Sequence, residues 1–277
     1  MRWRDGILRG RSRSRSRLRL WLAASVLALL SVGALAAGLI TGDPLENRLG
    51  ARLAPPGGEH LLGTDNNGRD VLARLAHGAR VSLGVGAASM GLALAIGVLI
   101  GGVAGMAGGW TDFVLTRAVE VVLCFPALFL ALGAMAVLGP STANVIAVLG
   151  VMGFPPVARL VRAEVLRLRH ADFAAAARAS GAGFARILVR HLIPNAMGPV
   201  WVLAAFGVAG AIVSESALSF LGVGVQEPTA TWGQSLSLVR SYPHAWWLGV
   251  FPGFALFVTL AALNVIAEEL GSPPRRR

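Results

Sequence analysis

Long apolar runs separated by short polar stretches dominate the pattern along this chain. Residues 20–40 hold 21 consecutive uncharged positions, about 30 Å as a helix and so long enough to cross a bilayer. Similar runs over residues 81–111, 113–138, 143–158, 196–213 and 245–267 predict five further spans, of which 143–158, the fourth span of the chain, is short. Asp112 and Arg117 mark a turn before the third span, and Pro155-Pro156 is expected to disturb the end of the fourth. Within the second run, Gly97, Gly101, Gly105 and Gly109 recur every fourth residue, which places them on one helix face where two membrane helices can approach closely. The apolar run 196–225 is interrupted by Glu215 alone, so it is read as a fifth span to about residue 213 followed by a short re-entrant or interfacial helix over 216–221.

The polar stretches fix the expected topology. Residues 1–19 carry eight Arg, including the Arg-Ser repeat of 11–17, and are expected to be disordered. Arg-Ser repeats can bind RNA, but a basic tail directly before a hydrophobic span is far more often an orientation signal, so no nucleic-acid partner is expected. The apolar run after it exceeds the core of a signal peptide and is kept as a membrane anchor, although Ala34-Leu-Ala36 resembles a cleavage site. Residues 159–195 hold seven Arg against Glu164 and Asp172, which places them in the cytoplasm. The expected divisions are a basic cytoplasmic tail (1–19), a first transmembrane helix (20–41), an extracytoplasmic loop (42–78), a membrane core (79–269) carrying the cytoplasmic loop 159–195, and a cytoplasmic tail (270–277).

Composition adds exclusions. The chain is 55% hydrophobic, with mean hydropathy +0.66 and net charge +11, and all 25 basic residues are Arg. A phosphate-binding P-loop needs its Lys, so this chain cannot form a standard ATP-hydrolysing site, and any ATP-driven work must come from a partner. Cys124 is alone within an apolar run, which leaves neither a disulfide nor a cysteine metal site. His60 and Asp65 lack a further ligand at suitable spacing. No catalytic residue, metal or cofactor is expected.

The stretch 172–195, DFAAAARASGAGFARILVRHLIPN, lies between two membrane runs yet is polar. Asp172 is a plausible N-cap for a short alanine-rich helix. Gly181 and Gly183 break that helix, and Phe184, Ile187, Leu188 and His191 recur as one face of a second short helix closed by Pro194. Two short amphipathic helices on a basic loop make a knob of the kind that docks into a groove on a partner.

The spacing Ala176, Ala177, Gly181, His191, Pro194 resembles the coupling-loop signature of ABC importer permeases, whose loop docks onto an ATPase subunit. Pro194-Asn195, the segment 217–222 (ALSFLG), Thr231-Trp-Gly233, His60-Leu-Leu-Gly-Thr-Asp65 and Gly68-Arg-Asp70 are similar to the dipeptide/oligopeptide/nickel branch. Two departures stand out: Ala175 where the family usually has Glu, and Glu268-Glu269 where it usually has Asp and Arg. The resemblance implies an all-α polytopic membrane protein of the type I ABC importer permease fold with six transmembrane helices. It implies, as partners, a homologous second permease, two ABC ATPase subunits, an extracytoplasmic solute-binding protein and the membrane lipid, with this chain itself a multi-pass component of the inner membrane.

On that resemblance the chain is a permease subunit for peptides or a related small solute, and not itself an enzyme. The coupling residues it implies are Ala176, Ala177, Gly181, Arg186, His191, Pro194 and Asn195. Glu215 is a candidate gate or pathway residue, because a charge in hydrocarbon costs about 2.5–3.5 kcal/mol on insertion scales. The alternatives are a permease for nickel or another non-peptide solute, a secondary transporter, or a structural membrane subunit. A secondary transporter would show an inverted repeat, which is not evident. An intramembrane serine protease would need a His inside a span, and none of the five His falls in one.

The topology is directly testable. Reporter fusions after Arg17 and Arg169 are expected on the cytoplasmic side and one after Gly58 on the outer side; a swap among the three defeats the six-span arrangement.

Overall fold

The computed structural model describes the backbone of residues 2–271 and the side chains of residues 18–271; the expected tail 270–277 lies almost wholly outside them. Among the described residues, five helices are long and apolar enough to cross a membrane. They are α1 (Arg2–Leu35, apolar from Leu18), α2 (Val71–Ala107), α5 (Thr142–Leu168), α7 (Phe184–Phe220) and α9 (Trp247–Gly271). A sixth span is α3 (Gly109–Leu123) with α4 (Ala127–Leu138), if the two are counted as one. Among the shorter helices between these are α6 (Asp172–Ala179) and α8 (Trp232–Ser237).

Several expectations are corrected. The tail 1–19 is not unstructured: its backbone is helical from Arg2, continuing α1. Arg is a good helix former, and an apolar helix already in place removes the cost of nucleation. The third span is bent by 86° between α3 and α4, at Cys124-Phe125-Pro126. A proline restricts the residue before it, so a helix that reaches Phe125 has to stop there. Conversely, Pro155-Pro156 lie inside an unbroken α5. Membrane helices tolerate such prolines where neighbouring groups meet the freed carbonyls. The run 196–225 is likewise one helix to Phe220, with no separate re-entrant piece.

The chain divides into two compact units, residues 1–83 with 227–277 and residues 84–226. In the first, α1 packs along α9 and α8 packs on α9. Arg80 donates to the carbonyls of Ala34 and Leu35, which a helix end leaves without intrahelical partners. The loop before α2 is folded by its own polar groups. Asp65 Oδ1 accepts from the backbone N–H of Asn67 and Arg69 at 2.7 and 3.0 Å, and its Oδ2 lies 3.5 Å from Nε of the buried Arg74. Arg69 grips Glu227 through two nitrogens at 2.8 and 3.3 Å and Asn47 through a third at 2.8 Å. His60 Nδ1 pairs with Asp70 Oδ2 at 2.9 Å, so His60 and Asp65 take different partners. The glycines of this segment are set by close approach: Gly63 and Gly68 have φ +78° and +74°, and a Cβ on Gly68 would meet Arg48 O at 1.9 Å.

In the second unit, α5 packs against α7 and the C-terminal part of α2 packs against α5. A Cβ at Gly97 would fall 2.6 Å from Val157 Cβ, at Gly101 2.3 Å from Ala158 O, and at Gly105 2.9 Å from Arg162 O. The predicted glycine face is therefore the contact between α2 and α5, except that Gly109 opens α3 with φ +56°. Arg162 on α5 clamps Asp112 on α3 through both carboxylate oxygens, one at 2.6 Å.

Gly91 supplies the control for this contact, because on the same helix it has nothing within 4 Å. Gly101→Ala is expected to destabilise the detergent-solubilised protein by about 1–3 kcal/mol, since overpacking against backbone cannot relax by a rotamer change. Gly91→Ala is expected to be neutral or slightly stabilising. Thermal unfolding of the two variants checks this, and equal melting temperatures would remove the packing role of Gly101.

Candidate functional site

The knob predicted over 172–195 is present, built differently in its second half. α6 starts at Asp172 with Ala171 at the cap position, so Asp172 is the first helical residue rather than the cap. Its carboxylate still sits where a helix N-terminus favours negative charge. The helix stops at Ser180-Gly181, where Gly181 has φ +77°. The Ala182 N–H donates to Ala177 O at 3.1 Å and the Gly181 N–H to Arg178 O at 2.9 Å, the two bonds of a Schellman motif. No atom would crowd a Cβ at Gly181, so the demand for glycine there comes from the backbone angle alone.

Phe184 does not open a short helix closed by Pro194. It opens α7, which continues through a π-helical turn, Leu188–Leu192, into the long run to Phe220. The ring of Pro194 would clash with the carbonyl four residues back in a regular helix; the wider turn just before it relieves that clash. The inner face of the knob belongs to the core of the unit. Ala174, Ile187, Leu188 and Leu192 are buried in one cluster with Val161 and Val165 of α5 and Ala196 and Val200 of α7.

The outer face is open. Ala176, Gly181, Arg186, Pro194 and Asn195 are exposed, and Ala177 and His191 are half-buried. Asn195 Nδ2 donates to the His191 carbonyl at 2.7 Å, fastening the turn that precedes α7's long segment. Phe173 and Phe184 are 38% and 46% exposed, large apolar rings on a polar surface. Arg178, Arg186 and Arg190 are exposed, and none has an acidic partner within 4 Å among the described residues. The structure thus gathers the seven sequence-selected residues on one helix-turn-helix and adds two exposed rings, Phe173 and Phe184, of which the sequence pattern had placed only Phe184 on a helix face.

Farther along the same helices lies a cavity of about 250 Å³. α2, α4, α5 and α7 wall it, α7 with Gly207, Gly210, Ala211, Ser214 and Leu218. The polar groups in this otherwise apolar wall are few. The Ser89 hydroxyl is buried there with no hydrogen-bond partner among the described residues. Pro156, which also lines the cavity, cannot donate to Met152, so it frees that carbonyl beside the same wall. These wall residues were not singled out in the sequence, although Gly207, Gly210, Ala211 and Ser214 repeat at the helical spacing of one face.

Glu215 is not part of that wall. It is fully buried one position round the helix from Ser214, and Ser219 Oγ donates to Oε1 at 2.8 Å. The same Ser219 oxygen accepts from the Val225 N–H at 3.1 Å. Gly222, with φ +84°, ends α7 in a second Schellman motif through Val223 N to Leu218 O and Gly222 N to Ser219 O. The carboxylate thereby anchors the turn that leaves α7.

A bundle of long apolar helices, an internal cavity and a protruding basic knob on two of its rods define a multi-pass membrane protein of the transporter type. Residues 97–270 match the family of binding-protein-dependent transport system inner membrane components. The chain is 40% identical over 249 residues to a putative peptide transport system permease protein of Brucella suis biovar 1 (strain 1330), covering 88% of this chain and 83% of the relative. It is 39% identical over 220 residues to the dipeptide transport system permease protein DppC of Alkalihalophilus pseudofirmus, covering 79% and 72%. To the di/tripeptide transport system permease protein DppC of Pseudomonas aeruginosa it is 37% identical over 235 residues, covering 82% and 78%. The chain belongs to the binding-protein-dependent transport system inner membrane component family, the permease family of ABC importers.

The anchoring of the turn by Glu215 makes a prediction about stability. Glu215→Ala leaves the buried Ser219 hydroxyl without its acceptor, a loss of about 1–3 kcal/mol, whereas Glu215→Gln keeps an acceptor oxygen and is expected to lose less than half of that. Thermal melting of the solubilised variants checks the order; equal losses would show that the charge and not the hydrogen bond matters.

Proposed function

We propose that this chain is the permease subunit through which peptides cross the inner membrane, driven by separate ATPase subunits that dock on the knob around Gly181. One observation carries the reading: the two helices that flank the knob, α5 and α7, are also two walls of the cavity, and all lie in one compact unit. From Ile187 to Gly207 the path along α7 is twenty residues, about 30 Å. A displacement of the knob is therefore a displacement of the cavity wall. Peptide cargo is supported by the names of the similar permeases and by the wall itself. A mostly apolar chamber whose α7 wall presents Gly207, Gly210, Ala211 and Ser214, with the Ser89 hydroxyl and the freed Met152 carbonyl, offers a donor and an acceptor to an amide backbone without demanding one side chain.

In this reading residues 1–19 and 159–195 and the C-terminal residues face the cytoplasm, and the polar loop 42–70 faces outward toward a solute-binding protein. A homologous second permease completes the pathway, and two ATPases supply the stroke. The ATPase groove receives Phe173 and Phe184 as anchors, with Arg178, Arg186 and Arg190 at its rim. The absence of a Glu at Ala175 leaves that surface basic apart from Asp172. ATP-driven closure of the ATPases would move the knob as a rigid body, a two-state change biased from a distant site. Glu215 enters as an anchor of the α7 exit turn rather than as a group in the path.

Gly181 is the sharpest test. A β-branched residue at φ +77° costs about 1–3 kcal/mol. Because Ile187, Leu188 and Leu192 hold the start of α7 in the core, the strain is expected to displace α6, carrying Phe173 away from its groove. In the reconstituted complex Gly181→Val is expected to lower peptide uptake and substrate-stimulated ATP hydrolysis together, with the spans still inserted. Arg186→Ala is expected to do less, since an exposed ion pair contributes about 0–1 kcal/mol. Normal transport by Gly181→Val with coupling lost in Arg186→Ala would assign the contact to charge instead of loop shape.

A further inference from the structure

A second cavity of the same unit, about 270 Å³, opens between α2, α3 and α5. Its floor is apolar, formed by Ile100, Ala104, Leu115 and Val119 among others, and its rim carries Arg159, Arg162 and Glu120. The charges on and beside this rim are not balanced. Arg162 is held by Asp112, and Arg117 is held by Glu120. Arg159 is exposed and has no acidic partner within 4 Å among the described residues. Three guanidinium groups against two carboxylates leave one positive charge, and it resides on Arg159.

The depth of Arg159 matters as much as its charge. It lies seventeen residues into α5, about 26 Å along a helix that starts at Thr142, close to the far edge of a hydrocarbon core about 30 Å thick. Four further arginines follow within the next ten residues or close beside them on α3, so this end of the bundle is its basic end. A bare guanidinium at that depth, above an apolar slot, matches an anionic phospholipid: phosphate at the arginine, acyl chain on the floor. A second protein chain would bring its own side chains to such a slot, but nothing on the rim offers the hydrogen-bonding partners that a polar protein surface needs, beyond groups already paired. We propose that the groove between α3 and α5 is a site for an anionic phospholipid, with the headgroup phosphate on Arg159. Its position gives it a consequence: lipid seated there wedges the bent α3 against α5, the helix that carries the knob.

The test uses the full chain with the subunits that copurify with it, in nanodiscs containing phosphatidylglycerol and phosphatidylethanolamine. Native mass spectrometry of the released complex reads which lipid is retained. One arginine near a membrane surface corresponds to about a fivefold preference for the anionic lipid. Arg159→Gln is expected to bring that preference to parity, and Arg159→Lys to keep most of it. Ala163→Phe, on the exposed lip of the same groove, is expected to reduce retention of either lipid with Arg159 intact. Inorganic phosphate at millimolar concentration is expected not to displace the lipid, and if it does so fully, the site is one for free anions and the proposal fails. Unchanged preference in Arg159→Gln, with unfolding temperature also unchanged, overturns it, as does unchanged retention in Ala163→Phe, which would place the lipid elsewhere or a protein chain over the groove.

Discussion

The constraint on which this structure depends is that backbone polar groups cannot be left unpaired in hydrocarbon. It explains why irregular backbone appears where it does. The bend between α3 and α4 falls at a proline, the π turn falls just ahead of Pro194, and Pro156 of α5 lies on the wall of a cavity. Where helices do end, they end in closed hydrogen-bonding patterns. α6 and α7 terminate in the same Schellman arrangement, each with a glycine at φ near +80° and two backbone bonds returning to the last turn. At α7 one further group was needed, because Val225, just beyond the exit turn, is buried. Glu215 and Ser219 supply it, so a carboxylate in an apolar run is accounted for by an N–H that would otherwise be unpaired.

Given satisfied backbones, the helices still have to stay together without water driving them to do so. Small residues and close contact do this for α2 and α5, where the carbonyl of Ala158 comes nearer to Gly101 than any side chain could. The Arg162–Asp112 clamp acts differently. It ties α3, whose partner α4 turns away by 86°, to the helix that ends in the knob. A bent element is thus fixed at one end by charge and at the other by packing, and the groove between α3 and α5 is the space left between those two fastenings.

The parts that were legible in the sequence are those written in local periodicity. Apolar runs identified the spans, the four-residue glycine spacing identified a helix face for close approach though not its partner, and Gly181 and Gly183 identified a break between two helices. What failed was the assignment of breaks from proline alone. Pro126 broke a helix that had been read as continuous, while Pro155, Pro156 and Pro194 lie within helices that had been read as disturbed or ended. The difference is tertiary: a proline at a position where a neighbour, a wider turn or a cavity can take the freed carbonyl does not end a helix, and none of those is visible one residue at a time. The cavity wall was hidden for a related reason. Its residues are mostly apolar and come from four helices, so no short window contains a signature. Glu215 was visible as an anomaly, but its partners, a hydroxyl four residues on and a turn ten residues on, only meet once α7 ends.

The continuity of α7 changes what the knob can do. A loop of two independent short helices could reorient on its ATPase partner while the membrane helices stayed still, and docking energy would be lost in that hinge. Here the second half of the knob has no such joint, because it is the first turns of a helix that passes through the core to the cavity wall. Motion imposed on Phe184 has no flexible joint in which to dissipate before Gly207, apart from the π turn, whose Leu188 and Leu192 are buried. The α6 half, in contrast, is attached to α5 through residues 169–171 and to α7 through the glycine turn, with Ala174 its one fully buried residue in the shared core and its other residues exposed or half-buried. One half of the knob is suited to fit the partner and the other to transmit force, and the glycine with φ +77° is the boundary between them.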